Sequence, residues 1–279
     1  MNQSFSFNRW GLLVGKHWSE NRKKYTLGTI AIASLMTLWY GFMIIVDVRH
    51  GLGEDIQGSA YFVGLFLIGC IYASLLFAEL ADKPKGISYL SIPASHLEKV
   101  LCNLFFGVVL FFVVYVLLFY IITTPMLALS NAVREAKMKA DGGNYPFIKN
   151  NLVNVFAYGK SRGEDFYYYL HLAFFAVQAT FILGSVYFTR FSFIKTVISV
   201  LVVWLLFFLL VAKVLTGILP EGNYFNGMTN WTVWTGGDQS NKVIMLPGWV
   251  GNICLFLFKF AFAPIFYVTT YFRLKEKEI

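Results

Sequence analysis

The sequence predicts an all-α integral membrane protein of six transmembrane helices, with an interfacial amphipathic helix before the first span and both termini in the cytoplasm. Three observations carry that prediction. The 279-residue chain is 57% hydrophobic but only 14% charged, and its mean hydropathy is +0.61. Soluble domains carry about 25% charged and 45–50% apolar residues, so neither an ordinary soluble domain nor a disordered chain fits. Six segments, 27–46, 59–80, 101–123, 166–189, 194–217 and 248–271, each supply the roughly 20 apolar residues that cross a hydrocarbon core about 30 Å thick. Open strands leave backbone groups unpaired in lipid, so even the apolar run Leu201-Val202-Val203-Trp204-Leu205-Leu206 reads as helix.

Charge sets the orientation. Thirteen cations flank one set of span ends: Arg9, Lys16, Arg22, Lys23, Lys24, Lys83, Lys85, Lys99, Arg190, Lys195, Arg273, Lys275 and Lys277. Eight flank the other, and six of those lie in the single long segment 124–165. The positive-inside rule places the richer side, with both termini, in the cytoplasm. The formal charge of +8 is spread along span ends and forms no single basic patch. It points to topology and anionic lipid headgroups, not to nucleic acid. Cys70, Cys102 and Cys254 lie in or beside apolar segments, where they read as small core residues and imply no disulfide framework.

Residues 5–24 form the first element. Phe7, Trp10, Leu13, Val14, His17 and Trp18 recur at helical spacing, opposite Arg9, Lys16, Glu20 and Lys23. A basic helix with Trp on its apolar side suits the headgroup layer, and such a face also suits packing on another chain. The first span then reads as a retained anchor, because its exit, Val46-Asp47-Val48-Arg49-His50, offers no small-residue cleavage site.

The connection from the second span to the third is the most informative stretch. Glu79 closes the second span, and Pro84 and Gly86 punctuate a turn. Ile87, Leu90 and Ile92 give an apolar edge, Pro93 ends whatever forms there, and Ser95 caps the third span with Glu98 at the capping-box position.

A carboxylate closing span two, then Gly, a short apolar helix, Pro-x-Ser and a basic residue resembles the ABC-2-type permeases, the membrane subunits of ATP-binding-cassette exporters. In architecture the resemblance covers nearly the whole chain, and in motif about 21 residues, Glu79 to Lys99. It implies that 82–98 is a coupling segment docking on a separate ATPase, with Glu79, Gly86, Leu90, Pro93 and Ser95 as its ATPase-coupling residues. It also implies a homodimer in a bacterial cytoplasmic membrane. The family often has Gly-Thr where this chain has Gly86-Ile87, and its loop between spans three and four is usually shorter. The longer loop suggests an added extracytoplasmic feature.

Two extracytoplasmic segments remain. Segment 124–165 holds a charged helical pattern, Asn131 to Lys139, then the turn Gly142-Gly143-Asn144-Tyr145-Pro146. It reads as a solvated flap or as a docking surface for an outer protein partner. Segment 218–247 carries Tyr224, Phe225, Trp231 and Trp234, which suit an interfacial aromatic belt. The resemblance instead implies re-entrant helices there.

Energy coupling has no home on this chain. The nearest approach to a P-loop, Gly15-Lys16-His17, has Trp10 where the first Gly belongs and His17 where the hydroxyl belongs. The chain therefore carries no cofactor, and ATP and Mg would be bound by a partner subunit. No His-Glu-x-x-His pair, Gly-x-Ser-x-Gly elbow or paired intramembrane carboxylates occur, so no catalysis and no metal site are expected. Lys259, near the middle of span six, is the costly intramembrane charge, at roughly 2.5–3.5 kcal/mol on insertion scales. It can serve a transport pathway, bond to another helix, or snorkel. Gln178 and Asn252 are candidates for interhelical hydrogen bonds worth about 1 kcal/mol each. The expected function is a permease subunit of an ATP-driven exporter. The alternative is a non-transporting membrane scaffold that anchors other subunits through 124–165.

Overall fold

A computed structural model describes residues 5–47, 50–81, 83–140, 142, 148–156, 166–188, 190–218, 223–225, 230–234, 241–245, 249, 253 and 256–277. Five of its helices are long and apolar enough to cross a membrane. They are α1 (Phe7–Val46), α2 (Glu54–Leu75), the run His96–Ala140, α6 (Phe166–Tyr187) and α7 (Ser192–Ile218). The run His96–Ala140 comprises α4 (His96–Leu104), a π-helical turn (Phe105–Leu110) and α5 (Phe111–Ala140). Between α2 and α4 lie a 3₁₀ turn, Ala78–Ala81, and the short helix α3 (Lys83–Leu90). The predicted sixth span is described continuously only from residue 256, with a π turn (Leu257–Ala261) followed by α8 (Phe262–Glu276). Below, the proximal end of the bundle is the one that carries α3, and the distal end carries Gly51.

The amphipathic segment 5–24 is not a separate helix. It is continuous with the first span over 40 residues, about 60 Å of helix at 1.5 Å per residue. Its contacts show a change of course. From residue 6 to residue 25 the chain rises about 28 Å, yet its partners on the third-span helix advance only from Glu98 to Phe106. Phe106 alone meets His17 and Tyr25, at ring-centroid distances of 4.6 and 5.5 Å. Beyond that the two helices advance in step, with Tyr40 beside Thr123. The first limb thus crosses span three steeply and the second runs alongside it. No proline interrupts α1. Instead, Thr26 donates to the carbonyls of Arg22 and Lys23, and Thr29 to that of Tyr25. Such back-bonding bends a helix without breaking it.

The third span is also longer than its apolar run. Helix continues from His96 through Pro125 to Ala140, so the charged pattern at 131–139 extends the span and is no separate element. At the distal end Gly51 takes a φ of 61°, a left-handed turn that favours glycine, between α1 and α2.

Three clusters make the core, the smallest of them Leu13, Cys102 and Phe106 between the first limb of α1 and span three. One gathers Tyr40, Tyr61, Leu65, Tyr115, Phe119 and Phe174 from α1, α2, α5 and α6. Another gathers Ala73, Phe77, Val100, Ile182 and Leu274 toward the proximal end. Helices approach closely where α2 is small: a Cβ on Gly64 would collide with the Tyr115 hydroxyl, and one on Gly69 with the Phe174 ring. Small residues that admit a neighbour's bulk are the usual basis of helix association in lipid. Helix α7 departs from this pattern. Its first turns pack on α6 through Phe193 and Thr196, but Val200 to Leu210 are exposed on every side. The segment 218–247 holds no re-entrant helix among its described residues. It forms a three-stranded antiparallel sheet, β1 (Asn223–Phe225), β2 (Asn230–Trp234) and β3 (Asn241–Met245), in the order β1-β2-β3. Trp231 pairs with Phe225 on one side and Ile244 on the other. The β-branched and aromatic residues of Asn230–Trp234 and Asn241–Met245 favour that outcome.

Candidate functional site

The connection from α2 to α4 is built as a compact unit at the proximal end. Helix α2 stops at Leu75, so Glu79 does not close it but stands exposed on the 3₁₀ turn. Pro84 and Gly86 do not mark a turn either; both lie inside α3. Pro84 sits in the first helical turn, where its missing N–H would have no partner in any case. Gly86 is buried against the turn before it, and a Cβ there would lie 3.6 Å from the Glu79 carbonyl oxygen. Helix α3 ends at Leu90, whose side chain is outside the described residues. The chain then turns, with the Ser91 N–H donating to the Ile87 carbonyl at 2.9 Å, and Pro93 is exposed.

Ser95 caps α4 as its spacing predicts. Its hydroxyl accepts from the Glu98 N–H at 3.2 Å, and the Glu98 carboxylate accepts from the Ser95 N–H at 2.8 Å. The sequence does not reveal the rest of Glu98's role. The same fully buried carboxylate accepts from the Ser6 N–H at 2.7 Å and from the Arg9 guanidinium at 3.0 Å. One side chain therefore ties the start of α1, the turn after α3 and the start of the third span.

A second tie holds α3 itself. The Asn103 amide donates to the Tyr89 hydroxyl at 3.0 Å, and the buried Lys99 ammonium lies 5.9 Å from the Tyr89 ring centroid. Tyr89, Lys99 and Asn103 were not among the predicted site residues. Lys99 and Asn103, polar residues one helical turn apart at the start of an apolar span, are the sequence signal that could have found this contact. While Tyr89 faces the bundle, Ile87 stands 69% exposed on α3. The unit thus offers an apolar contact outward while gripping the third span inward.

Just beyond, the π turn Phe105–Leu110 leaves the α-helical hydrogen-bond pattern. Gln178 of α6 donates to the Gly107 carbonyl there at 2.9 Å, so Gln178 is an interhelical contact. Its own carbonyl oxygen is buried without a partner among the described residues. Lys259 lies in the π turn Leu257–Ala261, with its side chain outside the described residues, and Asn252 is outside them altogether.

At the distal end the stretch 148–156 is docked on the helices. Gln57 donates to the Leu52 and Asn151 carbonyls at 2.8 and 2.9 Å and accepts from the Val153 N–H at 3.0 Å. Asn131 and Asn150 bond reciprocally at 3.1 Å, and Val153 and Val155 are buried. This portion of 124–165 is packed, not a free flap, though Ile148 and Phe156 remain exposed. Between the two ends, His171 joins the Tyr61 hydroxyl at 3.0 Å and the Tyr167 carbonyl at 2.7 Å inside an aromatic cage. Among the described residues no three His, Cys, Asp or Glu side chains are grouped to hold a metal ion. No family model, curated protein or solved structure matches the chain.

Proposed function

We propose that the chain is the permease subunit of an ATP-driven exporter of the ATP-binding-cassette class, working as a homodimer with separate ATPase subunits. The observation that carries this reading is α3, a short helix with Ile87 exposed outward and Tyr89 bonded inward to Asn103 of the third span. A partner that displaces α3 displaces the start of span three, and through Glu98 the start of α1 as well. In this reading the proximal end is cytoplasmic, in keeping with the cation bias. ATP and Mg bind the partner, and its closing and opening bias two arrangements of the spans.

Purification of the tagged chain in mild detergent, with mass spectrometry of what co-purifies, tests the proposal. A stoichiometric partner with a Walker A motif is expected, and Ile87→Asp should release it while leaving helical content unchanged. Recovery of only non-ATPase membrane partners, under conditions that keep complexes intact, overturns the permease reading in favour of an anchoring subunit.

A further inference from the structure

A cavity of about 410 Å³ opens on the side of the bundle near the proximal end. Its walls come from three places: Phe5, Phe7 and Trp10 at the start of the chain, Phe105 and Val109 on span three, and Tyr267 on α8. It is the wedge left where the first limb of α1 crosses span three. The size lies within the roughly 300–1,000 Å³ of ordinary ligand sites. The lining is hydrocarbon. Its two side-chain polar atoms, the Trp10 indole N–H and the Tyr267 hydroxyl, are buried in the walls without a hydrogen-bond partner among the described residues. A resident water needs two to four polar partners, and these two atoms have no exposed surface to offer it. The same apolar surface favours a hydrocarbon occupant over a polar or charged one.

The surroundings of the cavity indicate its occupant. It opens beside apolar helices long enough to cross a membrane. The limb of α1 above it carries exposed Lys16, Arg22, Lys23 and Lys24, against Glu20 as the one acid between residues 7 and 25. An apolar wedge beneath a basic amphipathic helix matches an acidic amphiphile lying at the headgroup boundary. We propose that this cavity holds one acyl chain of an anionic phospholipid from the proximal leaflet, with its headgroup on the basic face of α1. The chain fills the space between the first limb and α8 and so props the limb across span three. This inference is independent of any ATPase.

The test is native mass spectrometry of the full chain after detergent delipidation and titration with phosphatidylglycerol. Val109→Trp fills the cavity from a position already 54% exposed, so it does not threaten the core. Val113→Trp, four residues on and 49% exposed, lies outside the lining and is the control. Wild type and Val113→Trp should retain one tightly bound phospholipid. Val109→Trp should bind it about tenfold more weakly or worse, as expected when two or three methylenes lose their buried place. Equal binding by Val109→Trp and wild type, or no retained lipid on wild type, overturns the proposal. A site that takes free palmitate but not the phospholipid overturns it too.

Discussion

The Asn103 side-chain amide donates to the Tyr89 hydroxyl at 3.0 Å, and that bond fastens the short helix α3 to the helix of the third span. Asn103 is 2% exposed, so losing its acceptor leaves a buried donor unpaired, at about 1–3 kcal/mol. Tyr89→Phe should therefore lower the melting temperature of the purified chain by only a few degrees. If the chain couples to an ATPase as proposed, Tyr89→Phe should lower its stimulation of that ATPase by more than this drop explains, because α3 would move without carrying span three. Asn103→Leu, which removes the orphaned group as well, should restore stability in the Tyr89→Phe background but not the stimulation. Restored stimulation in that double variant would show the bond to be structural alone.

Glu98 holds three donors from two distant parts of the chain. Removing one partner of a buried charge costs about 3–5 kcal/mol, and the figure here is smaller because Arg9 keeps 37% of its side-chain surface exposed. Glu98→Ala should free the first limb of α1 and expose Arg9 and Lys16 to trypsin. Glu98→Gln, which can still accept from the Ser95 or Ser6 N–H, should do so less, and Arg9→Ala least. Limited proteolysis read by mass spectrometry ranks the three, and equal cleavage of all would refute Glu98 as the common tie.

The capping box at Ser95 and Glu98 was legible because its signal is local: four residues, two reciprocal bonds. Five apolar helices of spanning length were legible because apolar length is a property of the chain alone. What escaped the sequence depends on distance in the fold. Ser6 and Arg9 meet Glu98 from about 90 positions away, and no periodicity announces that. The turn expected at Pro84 and Gly86 proved to be helix because Pro is tolerated in a first turn and Gly86 lies against the preceding turn. The interfacial segment 5–24 and the first span form one helix because nothing between them forbids it, and threonine back-bonding supplies the bend.

At the distal end, the Asp47 carboxyl is held below its ordinary range first by the His50 N–H, at 3.2 Å, and then by the His50 ring. A depressed carboxyl pKa means that the turn's stabilisation is present above the unfolded value. It is lost as pH falls through the lowered folded value. Carboxyl-carbon NMR of selectively labelled Asp should find the Asp47 midpoint below that of a model peptide. His50→Ala should raise it part of the way, since the backbone N–H remains. A midpoint unchanged by His50→Ala would assign the shift to the backbone alone.

Gly107 is where the π turn of the third span meets the end of α2, and a Cβ there would collide with the Leu76 side chain. Two effects oppose each other in Gly107→Ala. Helix propensity gains about 1 kcal/mol, while forcing a methyl into a filled contact costs about 1–3 kcal/mol. The second should win, because Gly107 is also pinned through its carbonyl to Gln178 and cannot easily back away. Gly107→Ala should thus destabilise the chain in thermal unfolding in detergent. Leu76→Ala removes the colliding atoms and should cost stability by itself. The double variant should be more stable than the sum of the two single losses, with a favourable coupling of about 1 kcal/mol between contacting residues. Additive losses would mean that span two and the π turn are not in contact at this point. Gly107→Ala would then have to act through the α6 bond instead, which Gln178→Leu in the Gly107→Ala background would reveal as a loss no larger than either single change.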